Sequence, residues 1–381
     1  MKENSQEKYM EIIRQLVDLG AYSTNTLNKT LQLAVEGRYT DLVKFLIERG
    51  ADPTNILNET IQLLSEGGHI DLVIKFLIEK GVDPTNILNE TIQLLSEGGH
   101  IDLVKFLIEK GADSNRSFVL VAEGGNKELV ELLLEKGAYP TNTLNKALQL
   151  ASKGGHTDLV KFLIEKGADV TADNNRAIVL AAEGGNKELV ELLLEKGAYS
   201  TNTLNEALQL SSKGGHTDLV KFLIEKGADV TADNNRAIVL AVKEENTELV
   251  ELLLAYGAHV TDIESKVLLS TPVKSGNIEL VKLLVVHGVL PTEETCYSLF
   301  LNAINGGYVE ILKIIIRYAD EKMINDLLEI AIGNKNLKII EILLENGADI
   351  ELFKKKDMQL ALLYDPNIIL KDIIKHLSTF N

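Results

Sequence analysis

The sequence predicts an all-α solenoid of about 11 to 12 two-helix repeats with shortened loops. The stretch GGHTDLVKFLIEKGADVTADNNRAIVLA begins at Gly154 and begins again, letter for letter, at Gly214. A fixed period between 20 and 50 residues is typical of solenoids, whose units bury their apolar faces only against neighbours. A Gly-Ala or Gly-Val pair follows an apolar segment, mostly every thirty residues, at Gly20, Gly50, Gly81, Gly111, Gly137, Gly167, Gly197, Gly227, Gly257, Gly288 and Gly347.

Each unit is predicted to consist of two helices. In DLVKFLIEKG the polar residues Asp158, Lys161 and Glu165 fall within about 60° of one another on a helix, so the remaining circumference is apolar. Gly167 then fits a left-handed helix end. The preceding segment, NRAIVLAAEGG, supplies small apolar residues for a first helix, and the glycines at 184–185 form the turn between the two helices.

The domain organisation follows from this period. We expect an N-terminal capping helix in residues 1–20, a repeat array in 21–347 and a C-terminal capping repeat in 348–381, with no linker. An array of this size extends roughly 110 to 120 Å if each unit adds about 10 Å. Ile74 is an extra residue within its unit, and the interval from Gly111 to Gly137 is four residues short, which predicts altered stacking there.

Composition excludes several classes of protein. With 381 residues, 45% apolar and 25% charged, the chain can bury a large core. A net charge of −17 disfavours nucleic-acid partners, because counterion release requires clustered Lys and Arg. No signal-peptide or membrane-span pattern is present, and a single cysteine permits no disulfide framework. We therefore expect a monomer in a reducing, cytoplasmic compartment, without membrane contact.

No residue pattern favours catalysis, a metal or a cofactor. The glycine pairs lack the frame of a phosphate-binding loop, and lone Cys296 is expected to be a small buried residue rather than a nucleophile. Four histidines occupy one slot after the glycine turn, too far apart at about 10 Å for shared zinc ligation, so packing and capping at the helix start are favoured. These histidines are His69, His100, His156 and His216.

An asparagine recurs at the start of the first helix in eight successive units, until Lys266 replaces it. Asparagine is among the best N-cap residues, so a structural ladder of caps is favoured over recognition of a partner. Recognition remains the alternative, with Asn145, Asn175, Asn205 and Asn235 as the candidate partner-binding residues. The full series is Asn28, Asn58, Asn89, Asn115, Asn145, Asn175, Asn205 and Asn235.

The exposed end of the first helix varies in charge where the scaffold repeats. Its residues are Glu66, Glu97, Glu123, Lys153, Glu183, Lys213 and Lys243. Variation on a constant scaffold is what a binding face needs, although solvated surface is the favoured alternative. Tyr139 and Tyr199 recur on the loop side sixty residues apart, where tyrosine could serve an interface or the core equally well.

Two segments resemble the second half of an ankyrin repeat: GGNKELVELLLEKGA at Gly184 and GGHTDLVKFLIEKGA at Gly154. LAAEGGN is similar to the end of that family's first helix. The family's usual unit is three residues longer and opens with Thr-Pro-Leu-His, where this chain has RAIV from Arg176. The missing residues come from the projecting hairpin. The resemblance implies a non-catalytic scaffold that binds a protein along a concave face, without long hairpin fingers. The chain is also similar to the ankyrin arrays of giant DNA viruses of amoebae, which implies a location in the host cytoplasm.

A second function is suggested by the C-terminal stretch DPNIILKDIIKHL. Its apolar spacing resembles the first helix of an F-box, by which some viral ankyrin proteins recruit a ubiquitin ligase, at Pro366, Ile369, Ile373, Ile374 and Leu377. Asp365 stands where the motif has leucine. Any amphipathic helix begun by a proline has this spacing, so a closing cap helix is favoured over a ligase adaptor. The basic run at 354–356 is expected to be solvated surface rather than a nuclear signal.

The repeat pattern decays between Gly227 and Gly288. Glu245 replaces a turn glycine, Lys266 ends the asparagine series, and Pro272 falls inside the expected first helix. Since each unit is held mainly by its neighbours, these changes predict the least stable part of the array.

Overall fold

A computed structural model describes residues 12–20, 23–37, 39–52, 74–75, 78–79, 81, 83–87 and 101–349, except 112–113, 138, 198, 262 and 264. The chain divides into two units, Met1–Ala198 and Tyr199–Asn381. Each unit is a series of paired helices, and the described residues contain no β-strand, so the all-α prediction is confirmed.

In the first unit, first helices pack side by side, α5 against α7 and α7 against α9, and each packs on the second helix of its own pair. Helix α1 covers residues 12–18, ahead of the first described pair. The other helices are α2 (Thr24–Glu36), α3 (Thr40–Glu48), α4 (Ile101–Glu109), α5 (Ser114–Glu123), α6 (Lys127–Lys136), α7 (Thr141–Lys153), α8 (Thr157–Glu165), α9 (Ala172–Glu183) and α10 (Lys187–Lys196).

The second unit continues the same plan. Its helices are α11 (Thr201–Lys213), α12 (Thr217–Glu225), α13 (Ala232–Lys243), α14 (Thr247–Ala255), α15 (Ser265–Ser275), α16 (Ile278–Val286), α17 (Glu293–Asn305), α18 (Val309–Ile315), a 3-10 turn (Ile316–Tyr318), α19 (Glu321–Gly333) and α20 (Leu337–Glu345). The first helices α11, α13, α15, α17 and α19 pack in succession, as do the second helices from α12 to α20.

The core of each pair follows the predicted helical faces. In α8 the side chains of Leu159, Val160 and Leu163 are at most 1% exposed, whereas Asp158 and Lys161 are exposed. Burial of a leucine side chain stabilises a fold by about 1.5–3 kcal/mol. Because this apolar face is buried and the opposite face is exposed, the spacing of the apolar residues fixes which side of the helix turns inward.

The ends of the second helices are of two kinds. Gly167, after α8, has φ 96°, the left-handed conformation that the sequence predicts. Gly197, after α10, is instead extended at φ −127°, so the repeated glycine does not have one conformational role. A Cβ at Gly197 would lie 2.9 Å from Cγ2 of Val170, which shows that this position needs glycine for close packing.

Three successive residues, Asp173 to Asn175, adopt left-handed backbone angles at the start of α9, so its right-handed part begins at Arg176. The same conformation recurs at 233–235 in α13. Asn and Asp tolerate this region better than other side chains, although each such residue costs about 1–2 kcal/mol. Nε2 of Gln149, in the preceding first helix, donates a hydrogen bond of 2.7 Å to the Asp173 carboxylate and thereby holds the segment in place.

The decaying part of the pattern has the predicted irregularities. Glu245 occupies a turn with φ 56°, a region that favours glycine. The Ser275 hydroxyl donates a hydrogen bond to the Glu245 carboxylate. Pro272 lies inside α15 and is buried. Glu245 therefore occupies the position of a turn glycine, and Pro272 lies inside a first helix, as the sequence predicts.

Several predictions fall outside the described residues. They include the cap in 350–381 with its F-box-like stretch and the basic run at 354–356. The domain boundaries and the changed stacking near residues 111–137 stay predictions. The repeat positions outside the described side chains are Asn58, Asn89, Asn115, His69, His100, Glu66 and Glu97.

Candidate functional site

Where the structure describes it, the asparagine row is part of the scaffold, and the predicted role as an N-cap is wrong for Asn145 and Asn205. Helix α7 begins at Thr141 with Pro140 at the N-cap position, so Asn145 lies in the second turn. Its side-chain oxygen accepts a hydrogen bond of 2.7 Å from the backbone N–H of Asp169, in the loop 24 residues farther along. A side chain inside a helix cannot cap that helix, and this one instead ties a loop to it.

The same bond recurs at other positions of the series. Asn205 accepts from the N–H of Asp229 at 2.7 Å, and Asn235 accepts from that of His259 at 2.8 Å. Outside the predicted set, Asn325 accepts from Asp349 at 2.7 Å. Asn145, Asn175 and Asn205 are half-buried and Asn235 is 8% exposed. Because the bond recurs, it supports a structural role for these asparagines, in which each side chain holds a loop rather than caps a helix.

Asparagines that the sequence reasoning missed cap the second helices instead. Asn126, Asn186 and Asn246 precede second helices, and each accepts a hydrogen bond of 2.9–3.0 Å from the backbone N–H three residues later. Nδ2 of Asn186 also donates to the carbonyl of Gly155 in the preceding turn, at 3.1 Å. The sequence feature that could have predicted these caps is the Asn after the glycine pair in AEGGN. Other units have a histidine at this position.

The histidine slot serves packing between turns. Nε2 of His156 lies 2.9 Å from the carbonyl oxygen of Glu123 in the preceding repeat, so Nε2 must carry the donated proton. The ring covers Gly125 and Gly154 so closely that a Cβ at either position would overlap it. His156 makes no side-chain cap bond, which corrects the capping half of the prediction and confirms the packing half.

The variable charges stand at the ends of first helices. Lys153 ends α7, and in the second unit Lys213 and Lys243 end α11 and α13. All three lysines are exposed, whereas Glu183, at the end of α9, is half-buried. A cation in the last turn of a helix also interacts favourably with the helix dipole, so local electrostatics favours these lysines irrespective of a partner.

The loops beside the asparagine row carry ionised aspartates. The hydroxyl and the backbone N–H of Thr171 donate to the Asp169 carboxylate and lower the pKa of that group below its ordinary value. Thr231 lowers the pKa of Asp229 in the same way. The loops therefore present negative charge near the N-terminal ends of the first helices at neutral pH, at the end opposite Lys153 and Lys213.

The family comparisons bear on the whole repeat series. The family model for ankyrin repeats in three copies matches residues 118–204, 178–264 and 269–354, and the model for one ankyrin repeat matches residues 31–59. The chain is an ankyrin repeat protein. The ankyrin repeat family is typically non-catalytic.

A solved structure described as the crystal structure of the human ASB11 ankyrin repeat domain is similar to this ankyrin repeat protein. It shares 25% sequence identity, and the match covers 44% of this chain and 84% of that chain, with a TM-score of 0.37. No curated protein matches the sequence.

The two tyrosines of this ankyrin repeat protein have different surroundings. Tyr139 is half-buried and stacks on Phe118, with ring centroids 4.2 Å apart and an angle of 22° between the planes. Tyr199 is 40% exposed. Tyr139 therefore belongs to the packing between repeats, whereas Tyr199 has a surface that a partner could cover.

The lone cysteine of this ankyrin repeat protein is buried. Cys296 is 2% exposed, and its thiol donates to the carbonyl of Tyr318 at 3.3 Å. Burial, assisted by the negative charge of Asp320, raises the pKa of the thiol and so disfavours the nucleophilic thiolate. Among the described residues no group of His, Cys, Asp and Glu could hold a metal ion, and no described helix is long and apolar enough to cross a membrane.

The asparagine ladder can be tested by removing one side-chain acceptor. Asn205→Ala leaves the N–H of Asp229 without its bond, and we expect a loss of about 1–2 kcal/mol in the free energy of unfolding. Asn202→Ala, on an exposed residue of the same helix, is the matched control and is expected to cost less than about 0.5 kcal/mol. Urea unfolding followed by circular dichroism measures both variants; equal midpoints would contradict the structural role.

Proposed function

We propose that the repeat array is a non-catalytic scaffold that binds a protein partner along its concave face, at the ends of the first helices and the adjoining loops. Ankyrin repeats are generally protein interaction domains, and this chain matches their family models over most of its length. In the first unit the proposed partner-binding residues are Lys153 and Glu183, at the C-terminal ends of α7 and α9. In the second unit, taken by itself, the proposed residue is Tyr199, which precedes α11. The half-buried Asn145 and Asn205 serve mainly to hold the loops in place.

This proposal rests on one observation: the charge of a surface residue differs between two repeats whose preceding sequence is identical. Two 28-residue stretches are identical, yet the second residue after each stretch is Glu183 in one copy and Lys243 in the other. The helix sequence that leads to both positions is identical as far as Ala181 and Ala241, so this part of the scaffold does not account for the difference. A partner that contacts several repeats gives a physical reason for varying charge on a constant framework.

The proposal is tested by changing the face without disturbing the core. The variant Lys153→Glu, Glu183→Lys, Tyr199→Ala should lose the partner captured from cells by the full chain, measured by quantitative mass spectrometry. The matched control Lys161→Glu, Glu188→Lys changes exposed residues of the second helices and should retain it. Undiminished capture by the face variant, with an unchanged circular dichroism spectrum, would contradict binding at this face.

The ligase-adaptor hypothesis is separable from this one. It places association in residues 365–377, so deletion from Asp365 onward should abolish capture of ligase components and leave the array folded. Capture that survives the deletion favours the scaffold alone. The viral origin and the cytoplasmic location stay predictions from the sequence.

A further inference from the structure

Three lysines of the second unit occupy one slot in three successive first helices. Lys213 ends α11, Lys243 ends α13, and Lys274 lies one residue before the end of α15. They are 30 and 31 residues apart, and the helices that bear them pack side by side, α11 on α13 and α13 on α15. All three side chains are exposed. We refer to these three residues as the lysine row.

The three ammonium groups of the lysine row form no ion pair among the described residues. Within the described part of the chain, no carboxylate lies within ion-pair distance of any of the three ammonium groups, whereas Lys282 and Lys313 of the same unit are paired with Glu279 and Glu310. The helix dipole accounts for a cation at each helix end but leaves its charge unneutralised. In a chain of net charge −17, such a row is a local departure from the overall sign.

An open groove of about 570 Å³ adjoins two members of the row. Lys243 and Lys274 line it together with hydroxyl groups of α15, which belong to Ser270, Thr271 and Ser275. Of its two glutamates, Glu245 already accepts a hydrogen bond from the hydroxyl of Ser275, while Glu244 is exposed. The groove thus offers two ammonium groups and hydroxyl donors to an anionic group, beside the exposed carboxylate of Glu244.

We propose that the lysine row binds an extended acidic segment of the protein partner, with a carboxylate at every third residue. This inference rests on the proposed function and names the chemistry of the partner in the second unit. Packed helices lie about 8–10 Å apart, so successive lysines repeat at that distance. A polyproline II segment has three residues per turn and rises about 9 Å in one turn, which places every third side chain on one face at a matching interval.

Charge favours a short acidic segment over a longer polyanion. Each lysine–carboxylate contact is a charge-assisted hydrogen bond, and three such contacts lie within a few residues of the peptide. A nucleic acid would extend past the row toward a surface whose net charge is negative, and the counterion release that drives such binding needs more clustered cations. The acidic peptide is therefore the partner chemistry that the row fits.

The test uses the full chain and a fluorescein-labelled peptide of four Glu-Pro-Pro triplets, with binding followed by fluorescence anisotropy at low salt. We expect saturable binding that weakens as salt is added. The variant Lys213→Gln, Lys243→Gln, Lys274→Gln should lower the affinity about tenfold, since exposed ion pairs contribute about 0.2–1 kcal/mol each. The matched control Lys221→Gln, Lys226→Gln, Lys282→Gln removes the same charge from two second helices and the C-cap of one of them, and should change the affinity less than twofold.

Three further probes decide between the remaining outcomes. A peptide with Gln for Glu, or one with its four glutamates adjacent, should bind more weakly; equal binding would overturn the charge or the spacing. Single-stranded DNA that binds more tightly than the acidic peptide, or a lysine-row variant that binds as the natural chain does, would also overturn the proposal. If these probes fail while capture still depends on Lys153, Glu183 and Tyr199, the proposed function stands and this inference falls.

Discussion

Gly184→Ala is expected to lower the free energy of unfolding by about 2–3 kcal/mol, because the added methyl group has no room between two repeats. A Cβ at this position would lie 2.5 Å from the backbone carbonyl oxygen of Lys153, at the end of the preceding first helix. Gly184 has φ −77°, so alanine itself is not strained there and the cost is steric. Backbone cannot rotate away as a side chain can, and the two turns must separate.

Gly333→Ala is the matched control for this prediction. Gly333 also lies near the end of a first helix, α19, but a Cβ added there would have no neighbouring atom of the described residues within 4 Å. Alanine there should stabilise the fold by about 0.5–1 kcal/mol, because it reduces the freedom of the unfolded chain. Urea midpoints of both variants measure the difference. A Gly184→Ala protein as stable as the natural chain would show that the turns are not in tight contact.

Pro272→Ala is expected to stabilise α15 against local opening by about 3 kcal/mol. Proline removes a backbone hydrogen bond and its ring opposes the carbonyl of the preceding turn, at a cost of about 3 kcal/mol within a helix. The equivalent positions of two other first helices are Ala181 and Ala241, each 0% exposed, so the slot accepts alanine without a change of packing. The natural chain should therefore open early at α15.

Hydrogen exchange followed by mass spectrometry measures this effect. Amides in residues 267–276 should exchange about a hundredfold faster than those in 178–194, and Pro272→Ala should remove most of the difference, since about 1.36 kcal/mol corresponds to a factor of ten. The reciprocal change Ala241→Pro should make α13 exchange rapidly. Equal protection of the two stretches in the natural chain would mean that neither Pro272 nor Glu245 weakens this repeat.

The positions of many residues of the candidate site can be predicted from the sequence, but the roles of these residues cannot. The charge series places Lys153, Lys213 and Lys243 at exposed helix ends because a fixed period carries each residue to the same slot. The sequence does not show whether a carboxylate pairs with the lysine row, because such a pair depends on which side chains the fold brings close. Among the described residues, no carboxylate forms an ion pair with these lysines. Tyr139 and Tyr199 are equivalent in sequence, yet only the structure shows that the first stacks on Phe118.

The sequence by itself determined the helical repeat, the buried face of each helix and the positions of the irregular residues at 245 and 272. These features depend on local backbone preferences and on the spacing of apolar residues, which any single repeat displays. The tertiary structure alone decided where polar side chains bond. Asn145 could cap a helix or tie a loop, and the latter is realised because folding brings the N–H of Asp169 within 2.7 Å across 24 residues of chain.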